Sequence, residues 1–459
     1  MTGPTAGGRT VDAVLRDAAA SALALGSIAL LGTARPALAE DLATKKAIEA
    51  EYDASLAPLF LDFHQHPEMG FLEKRTAGIM AAELRKAGLE VTEGVGGTGV
   101  VGMLRNGKGP LILIRADMDG LPVEEKSGLA YASKDKQIGE DGKEYPVMHA
   151  CGHDTHITAM IATARRLAAT KGAWKGTLMF IVQPAEEGVR GAKAMMEDGL
   201  YKRFGKPDYA LAFHVAAELQ TGIVSASEGI QYSSSDSVDI IVPGIGTHGA
   251  APHLGKDPVY IAAQIVTALQ SIDSREISPL KPVVVTVGSF HAGSKHNIIS
   301  DEAKLQVTVR ANDEATREEA IAAIRRIAVN IGKAHGLPDN LPVQVNRLSG
   351  TPVTNNDPVL ARRLNAVMAR ELGAAAVVPF EQRNMGAEDF TYFVAPETGI
   401  PGYYFAVGGT TAERLAAAKA GGPAIAGHHS PLFQVAPKES ITLGARAMIA
   451  AVMDLAKAK

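Results

Sequence analysis

Three short runs of apolar residues constrain the fold of this chain most strongly. They are Leu111 to Ala116 (LILIRA), Thr177 to Gln183 (TLMFIVQ) and Asp208 to His214 (DYALAFH). Runs of this length without polar alternation are typical of strands that are buried on both faces of a sheet, and stretches with helical periodicity separate them. The pattern predicts an α/β fold with a mostly parallel central sheet that is covered by helices.

The pattern changes near Ser233 and changes back near Val345. Between these positions the periodicity predicts the order strand, helix, strand, strand, helix, which is typical of a small α+β unit with an antiparallel sheet. We therefore expect one α/β domain built from residues 40–232 and 345–459, interrupted by an inserted domain over residues 233–344. Insertions of this kind are tolerated at surface loops.

Residues 1–39 have the features of a secretory signal peptide. Arg9 and Arg16 precede an apolar segment, Ala18 to Gly32, which is too short to span a bilayer comfortably. Ala37 and Ala39 then form a small-x-small cleavage site. We expect cleavage near Ala39 and an exported mature chain, periplasmic or secreted, without a stable membrane span. The alternative is an apolar helix that is not cleaved.

Charge and cysteine content exclude two classes of protein. The chain has 46 Lys and Arg residues against 50 Asp and Glu residues, so it lacks the positive field that nucleic acid requires. Its single cysteine, Cys151, cannot form an internal disulfide, which excludes a small disulfide-stapled fold. Nucleic acid is therefore not an expected partner.

The segment Met148 to His156 (MHACGHDTH) has the greatest density of residues that bind metals. Cys151 and His153 flank Gly152, so a turn can direct both donor atoms to one point. Thiolate and imidazole suit a borderline transition metal. The alternative for this segment alone is a surface turn with incidental histidines.

A pair of carboxylates follows the second apolar run. Glu186 and Glu187 belong to the sequence QPAEEG directly after TLMFIVQ. In a loop, one carboxylate can bind a metal while its neighbour takes a proton from water and passes it to a leaving amine. Taken alone, such a pair is more often the solvated start of a helix.

Two further histidines extend the possible metal site. His214 ends the third apolar run, at the end of a strand where open α/β folds place their sites, and His429 lies in the sequence GHHSP. Together with Cys151, His153 and Glu187 they provide five possible ligands. A tetrahedral zinc ion binds only four, so five ligands suit a site with two metal ions that share a bridging ligand. Each histidine alone is more simply a core or surface residue.

Two aspartates end the first apolar run. Asp117 and Asp119 stand in the sequence RADMDGLP. Either carboxylate could orient a metal-binding imidazole, which is the usual role of a carboxylate behind a metal ligand. An ordinary acidic turn after a strand explains them equally well.

Together these segments resemble the M20 metallopeptidases, within them the amidohydrolase branch of hippurate hydrolases, N-acyl-amino-acid amidohydrolases and plant auxin-conjugate hydrolases. The resemblance runs from about Phe63 to the C-terminus. Eight segments carry it, in order along the chain: FHQHPEMGFLEKRTA, RADMDGLP, MHACGHDTH, QPAEEG, FHV, GIGTHGAAPHLGKDP, GAEDFTYF and HHSPLF. It implies a zinc-peptidase-like catalytic domain with an inserted lid, or dimerisation, domain.

The resemblance also implies roles for individual residues. Glu186 matches the general base, and His248 matches a histidine that polarises the scissile carbonyl and stabilises the oxyanion. In several relatives the partner subunit supplies that histidine, so a homodimer or higher homo-oligomer formed through the lid is implied. The metal ligands of the branch match Cys151, His153, Glu187, His214 and His429.

Two residues of the lid match substrate-binding positions. Asn297 in HNIIS matches the asparagine of the NVIP motif of the family, although Ser300 replaces the proline. Arg310 matches a lid arginine that could bind a substrate carboxylate.

The expected activity is hydrolysis of the amide bond of N-acyl amino acids, with two divalent metal ions per subunit, either zinc, manganese, cobalt or nickel. A dipeptidase or carboxypeptidase of the same family is the alternative. Two rivals do not rely on this chemistry: a cysteine hydrolase with Cys151 as nucleophile, and a metal-binding or peptide-binding module without turnover.

Overall fold

The structure is a computed structural model that describes residues 43–457. Its strands, in chain order, are β1 (Glu90–Val95), β2 (Gly99–Asn106), β3 (Leu111–Asp117), β4 (Lys136–Ile138), β5 (Glu144–Pro146), β6 (Gly176–Gln183), β7 (Tyr209–Gln220), β8 (Val224–Ser225), β9 (Gly229–Tyr232), β10 (Ser235–Pro243), β11 (Thr247–His248), β12 (Val283–Ala292), β13 (Ile298–Ile299), β14 (Glu302–Ala311), β15 (Gln344–Thr351), β16 (Thr354–Asn356), β17 (Val377–Val378) and β18 (Gly402–Thr410).

The α-helices alternate with these strands along most of the chain. In order they are α1 (Ala57–Gln65), α2 (Lys74–Lys86), α3 (His153–Ala169), α4 (Gly191–Glu197), α5 (Leu200–Phe204), α6 (Pro258–Leu269), α7 (Glu314–Ala334), α8 (Pro358–Leu372), α9 (Thr391–Val394), α10 (Ala412–Lys419) and α11 (Pro437–Leu455). Residues 43–51 are also helical, and a π-helical turn, Tyr52–Leu56, joins them to α1.

The three apolar runs form neighbouring strands at the centre of a large mixed sheet. The strand order is β1-β2-β6-β3-β7-β18-β8-β17, and the central strands β6, β3, β7 and β18 run parallel to one another. The predicted α/β class with a mostly parallel sheet is therefore confirmed. Because these strands are parallel, their carboxyl ends meet at one edge of the sheet, where open α/β folds bind ligands.

Both faces of the central strands are buried, as their continuous apolar sequences require. In β6, Phe180 packs into the core that includes α2, α3 and α11, whereas its neighbour Met179 packs into the core that includes α4 and α9. In β3, Ile114 and Leu113 divide in the same way. Successive side chains of a strand point to opposite faces, so helices on both sides are needed to cover them.

A second sheet is formed by the part of the chain from Ser235 to Thr351. Its order is β12-β14-β10-β15, every neighbouring pair is antiparallel, and its own apolar core includes residues of α6 and α7. The strand β15 pairs with β10 in this sheet. The sequence, in contrast, predicts that the inserted domain ends at residue 344, where β15 begins. Because β15 is mostly exposed, it lacks the apolar pattern of a buried strand. The domain limits stay a prediction.

Predictions about the N-terminus lie outside the described residues. The signal peptide over residues 1–39 and its cleavage near Ala39 belong to this part. Among residues 43–457, no helix combines the length and the apolar character needed to cross a membrane.

The buried His64 connects α1 to α3, the helix that begins at His153. His64 in α1 shares a proton with Asp154 in α3, with 2.6 Å between Nδ1 and Oδ2, and its Nε2 lies 3.2 Å from Glu125 Oε1. Burial alone would lower the pKa of His64, but the two carboxylates outweigh it and raise this pKa to about 9. The folded chain therefore holds this imidazole in its charged form at neutral pH.

Replacing His64 by Asn should reduce stability in a pH-dependent way. Because the pKa rises from 6.5 to about 9 on folding, the stabilisation is complete below about pH 6.5 and is lost as the pH rises through 9. We expect the loss in free energy of unfolding to be on the order of 3 kcal/mol at pH 6 and much smaller at pH 10, measured by denaturant unfolding.

His66→Asn is the matched control for this prediction. His66 pairs with Asp135 at the surface, at 2.7 Å, so its replacement should change stability by less than about 1 kcal/mol. A loss in His64→Asn that stays constant from pH 6 to pH 10 would contradict the assigned charge.

Candidate active site

The polar residues singled out in the sequence lie at the carboxyl edge of the large sheet. Asp117 ends β3 and is the register partner of Gln183, which ends β6. The Glu186 and Glu187 pair follows β6 directly, and His214 lies within β7 next in the sheet. The parallel topology thus brings together segments that lie far apart in the sequence.

Gly152 aims Cys151 and His153 into the site. It adopts a left-handed conformation with φ of 85° directly before α3, and an added Cβ atom would overlap Val215. His153 Nδ1 donates to the backbone carbonyl of Asp119 at 2.9 Å, and the Asp119 carboxylate lies 3.2 Å from the same nitrogen. The orienting role predicted for Asp119 thus has a geometric basis.

The Glu186 and Glu187 loop is held in an unusual backbone conformation. Ala185 and Val189 have φ values of 49° and 48°, which are rare for residues with a side chain and cluster at functional sites. The backbone N–H of Glu187 donates to Asp119 Oδ2 at 3.0 Å. His429, also with a positive φ of 65°, places Nε2 at 3.2 Å from Glu187 Oε2.

Cys151 is surrounded by imidazoles. Its Sγ lies 3.4 Å from His214 Nε2 and 3.6 Å from His428 Nδ1. His214 Nδ1 donates a hydrogen bond to the Val215 carbonyl at 2.7 Å. The other ring nitrogen, Nε2, is therefore unprotonated in the neutral imidazole, and its lone pair faces Cys151 and is available to a metal. Of the His428-His429 pair, the sequence predicts only His429 as a ligand, whereas the structure brings both histidines close to Cys151.

Two acidic groups of the site, the Cys151 thiol and the Glu186 carboxyl, have raised pKa values. Burial and the charges of Glu187 and Glu186 raise the pKa of Cys151 well above its usual value. Burial and the charge of Glu388, followed by that of Glu187, raise the pKa of Glu186 well above its usual value. A bound cation would reverse both shifts, because it favours the ionised form of a neighbouring group.

The pKa values of His214 and His153 are shifted in opposite directions. Burial lowers the pKa of His214 well below its usual value, so this imidazole is neutral, the form that binds metals. Burial would also lower the pKa of His153, but Asp117 and Asp119 outweigh it and raise this pKa to about 10. A cation at His153 would therefore have to displace a proton.

A buried arginine organises the carboxylates behind Glu186. Arg115 contacts Asp117 at 2.7 Å, Glu388 at 2.6 Å and Asp389 at 3.2 Å. Ligand atoms of Glu186, Glu388 and Asp389 lie within 4.8 Å of one another. Sequence patterns alone did not single out Arg115, Glu388 and Asp389, although these residues stand in the segments RADMDGLP and GAEDFTYF. Asp117 also accepts a hydrogen bond from His156 Nδ1, at 2.6 Å.

Part of this cluster lines a cavity of about 700 Å³. Its wall includes the predicted base, Glu186, and four predicted metal ligands, namely Cys151, Glu187, His214 and His429. Arg310, from the end of β14 in the small sheet, reaches the same wall. The structure therefore places the predicted carboxylate-binding arginine and four of the five predicted metal ligands around one space, and the fifth ligand, His153, is buried behind the wall.

Two predicted residues lie elsewhere. His248 in β11 is the register partner of Ile298 in β13, and Asn297 directly precedes that strand. His248 is exposed, and among the described residues that form the cavity wall neither His248 nor Asn297 occurs. Within one chain, the fold does not bring them to Glu186.

The donor atoms of the cluster fit divalent metal ions. Neither His153 Nε2 nor Glu187 Oε1, both buried, has a hydrogen-bond partner among residues 43–457. Buried polar atoms without partners are destabilising, so these atoms suit a ligand that the chain itself does not supply. Two triads of ligand atoms within 4.8 Å of one another share Cys151: one adds Glu187 and His429, the other His214 and His428.

Comparisons with known proteins agree with this geometry. Residues 113–423 match the model of the peptidase family M20/M25/M40. The chain belongs to this family. It is 40% identical to the hippurate hydrolase of Campylobacter jejuni over 333 residues, which cover 72% of this chain and 82% of the relative. It is 37% identical to thermostable carboxypeptidase 2 of Saccharolobus solfataricus over 349 residues, covering 75% and 83% of the two chains.

A solved structure shows the same architecture. The YXEP protein of Bacillus subtilis, described as a dinuclear metal binding peptidase from the M20 family, superposes with a TM-score of 0.71 and 27% identity. The match covers 90% of this chain and 99% of that chain. The predicted family, the enzyme class of metal-dependent amide or peptide hydrolase, and the metal cofactor are thus confirmed.

The turn at Gly152 provides a test of the site geometry. We expect Gly152→Ala to lose metal and to be destabilised by about 1–3 kcal/mol or more, because φ of 85° strains a side-chain residue and the new methyl group overlaps Val215. Metal stoichiometry by elemental analysis and thermal unfolding measure the two effects.

Gly172→Ala is the control, since a Cβ atom there would have no neighbour within 4 Å. Full metal content in Gly152→Ala would contradict the assigned role of this turn.

Proposed function

We propose that the protein hydrolyses N-acyl amino acids such as N-benzoylglycine, releasing a carboxylic acid and an amino acid. One observation carries this proposal: a cavity that has the Glu186 carboxylate and a cluster of metal-binding atoms on one side also receives the Arg310 guanidinium. These groups suit a substrate with an amide bond and a free carboxylate. The similarity to the hippurate hydrolase of Campylobacter jejuni supports the same substrate class.

Five residues are proposed to hold two divalent ions, namely Cys151, His153, Glu187, His214 and His429. His428 is a further candidate, because its Nδ1 lies 3.6 Å from Cys151 Sγ. When bound, such ions supply Lewis acid chemistry that polarises water and the amide carbonyl. Zinc, manganese, cobalt and nickel all accept this combination of sulfur, nitrogen and oxygen donors.

Glu186 is proposed as the general base and acid. It accepts a proton from water as the water oxygen forms a bond to the acyl carbon, and it donates that proton to the amide nitrogen as the C–N bond breaks. Glu186 is buried, with 7% of its surface exposed, so bulk water does not compete for this proton. Asp119 is proposed to orient His153 through Nδ1. Asp117 lies 3.6 Å from His153 Nε2, the nitrogen that faces the proposed ions, and accepts its hydrogen bond from His156 instead.

Cys151 is a poor candidate for a nucleophile. Burial, Glu187 and Glu186 raise the pKa of its thiol, whereas a reactive cysteine requires a lowered pKa. The metal-ligand assignment uses the same thiol without this difficulty, because a coordinated cation favours the thiolate.

A carboxypeptidase or dipeptidase is the second candidate. The similarity to thermostable carboxypeptidase 2 favours it, and its substrates would also present a carboxylate to Arg310. A panel of N-acyl amino acids and dipeptides, assayed with defined metal content, separates the two. Higher kcat/KM for every dipeptide than for N-benzoylglycine would reverse our choice.

His248 and Asn297 are proposed to act at the site of a second copy of the chain. His248 is exposed and pairs with Ile298, which is also exposed. Two further large apolar residues close to His248 in the sequence, Ile245 and Leu254, are exposed as well. Such a surface suits burial in a homodimer formed through the small sheet unit. His248 would then polarise the amide carbonyl in the partner's cavity, and Asn297 would contact the substrate.

Export of the mature chain to the periplasm or the medium is part of the proposal. It rests on the amino-acid sequence of residues 1–39 alone.

Replacing Glu186 by Gln should abolish most turnover and preserve metal binding. We expect kcat to fall on the order of 10²- to 10⁴-fold, because the amide cannot accept the proton. Steady-state hydrolysis of N-benzoylglycine, with metal content measured on the same sample, gives both values.

Glu187→Gln is the matched control at the neighbouring carboxylate. It should lower metal content as well as turnover, as should Cys151→Ser, because each removes a proposed ligand. Near-normal turnover in Glu186→Gln would refute its assignment.

Mixing two inactive variants tests the proposed partner contribution. We expect His248→Ala and Glu186→Gln chains, each nearly inactive alone, to regain up to about a quarter of wild-type activity when co-refolded. In a randomly mixed dimer population, half of the dimers are mixed, and each has one of its two sites intact. Failure to regain activity, with a mixed dimer verified by mass, would place His248 outside the partner's reaction.

A further inference from the structure

Arg310 is held at the cavity wall without a partner of its own. Among residues 43–457, no hydrogen bond or ion pair involves its guanidinium, which is only half-buried. Burial lowers the pKa of Arg310, and the negative charge of Asp236 acts in the opposite direction. A cation in this position favours an anionic ligand inside the cavity.

Two residues beyond Arg310, Asn312 belongs to a closed ring of hydrogen bonds. Ser233 Oγ donates to Asn312 Oδ1 at 2.6 Å, and Asn312 Nδ2 donates to Gln382 Oε1 at 2.7 Å. Gln382 Nε2 completes the ring by donating to Ser233 Oγ at 2.9 Å. Gln382 Nε2 also lies 3.3 Å from Asn312 Oδ1, a second acceptor within the ring. Hydrogen bonds arranged in such a closed ring strengthen one another.

The ring connects the end of β14 to a segment of the cavity wall that belongs to the large-sheet part of the chain. Asn312 follows the last residue of β14, and Gln382 lies in a segment of the α/β unit that lines the cavity. Ser233 connects them at the entry to the small sheet, where its backbone N–H donates to Gly386 at 2.8 Å. Its neighbour Ser234 donates to Ala311 at 2.8 Å. The end of β14 is therefore held to the cavity segment in two ways: directly by the hydrogen bond from Asn312 to Gln382, and indirectly through Ser233 and Ser234.

We propose that the ring of Ser233, Asn312 and Gln382 positions Arg310 to bind the free carboxylate of the substrate. The three are positioning residues, since they act on the substrate through Arg310. This inference rests on the proposed function, because it assigns the carboxylate of an N-acyl amino acid to the small-sheet side of the cavity. It also assigns to Gln382 a role in substrate specificity that its place in the sequence does not indicate.

Binding of a non-hydrolysable analogue tests the ring independently of turnover. The probe is 3-benzoylpropanoate, in which a methylene group replaces the amide nitrogen of N-benzoylglycine, and its neutral carboxamide is the reference ligand. Calorimetric titration of the metal-loaded protein gives the ratio of the two affinities. We expect wild type to prefer the acid, Arg310→Ala to lose this preference, and Asn312→Ala or Gln382→Ala to reduce it roughly tenfold.

The double variant Arg310→Ala/Gln382→Ala should show no loss of preference beyond that of Arg310→Ala, because the ring acts through Arg310. Gln306→Ala is the matched control: it lies on the same strand, outside the ring, and should retain the preference.

Several results would overturn the inference. Equal affinity of wild type for acid and amide, or absence of binding, would exclude a carboxylate site at Arg310. Ring variants that keep the full preference, or that lose affinity for acid and amide alike, would exclude positioning. Hydrolysis of N-benzoylglycine is measured separately, so a wild type that prefers the acid and does not cleave N-benzoylglycine would refute the proposed function and leave the ring supported.

Discussion

The buried guanidinium of Arg115 is the interaction on which the catalytic edge depends. It contacts Asp117 at the end of β3, Gln183 at the end of β6, and the Glu388 and Asp389 pair that the chain reaches only after the small sheet. Removing one member of such a buried ion cluster typically costs about 3–5 kcal/mol, because the remaining charges stay buried without a partner. The guanidinium thus holds three distant segments of the chain in register behind Glu186.

One arginine does not balance the acidic groups around it. The pKa of Glu186 and that of Cys151 are both raised, and the buried atoms His153 Nε2 and Glu187 Oε1 have no hydrogen-bond partner among the described residues. Both observations have the same cause: the site is arranged around positive charge that the chain does not provide. Divalent cations meet this need, which explains why a buried cluster of this composition is compatible with a stable fold.

The small sheet has two different relations to this cluster. Arg310 at the end of β14 reaches the cavity of its own chain, close to the linker at Ser233 and Ser234. His248 at the other end of the unit is exposed beside apolar residues and does not reach that cavity. In the proposed homodimer, the small sheet and its helices would contribute to two sites, that of their own chain through Arg310 and that of the second copy through His248.

The amino-acid sequence by itself determined the α/β class and three of the central strands, and it singled out Cys151, His153, Glu186, Glu187 and His214 as candidate site residues, because apolar runs and closely spaced donors are local features. Only the tertiary structure decided that His428 lies close to Cys151 and that His429 lies close to Glu187. It alone also decided that Arg115 pairs with Glu388 and that β15 is the fourth strand of the small sheet. The physical reason is distance along the chain: side-chain contacts between residues far apart in the sequence depend on strand order and backbone direction, which no local pattern encodes. The separation of His248 from Glu186 likewise follows from where the inserted unit is joined to the large sheet.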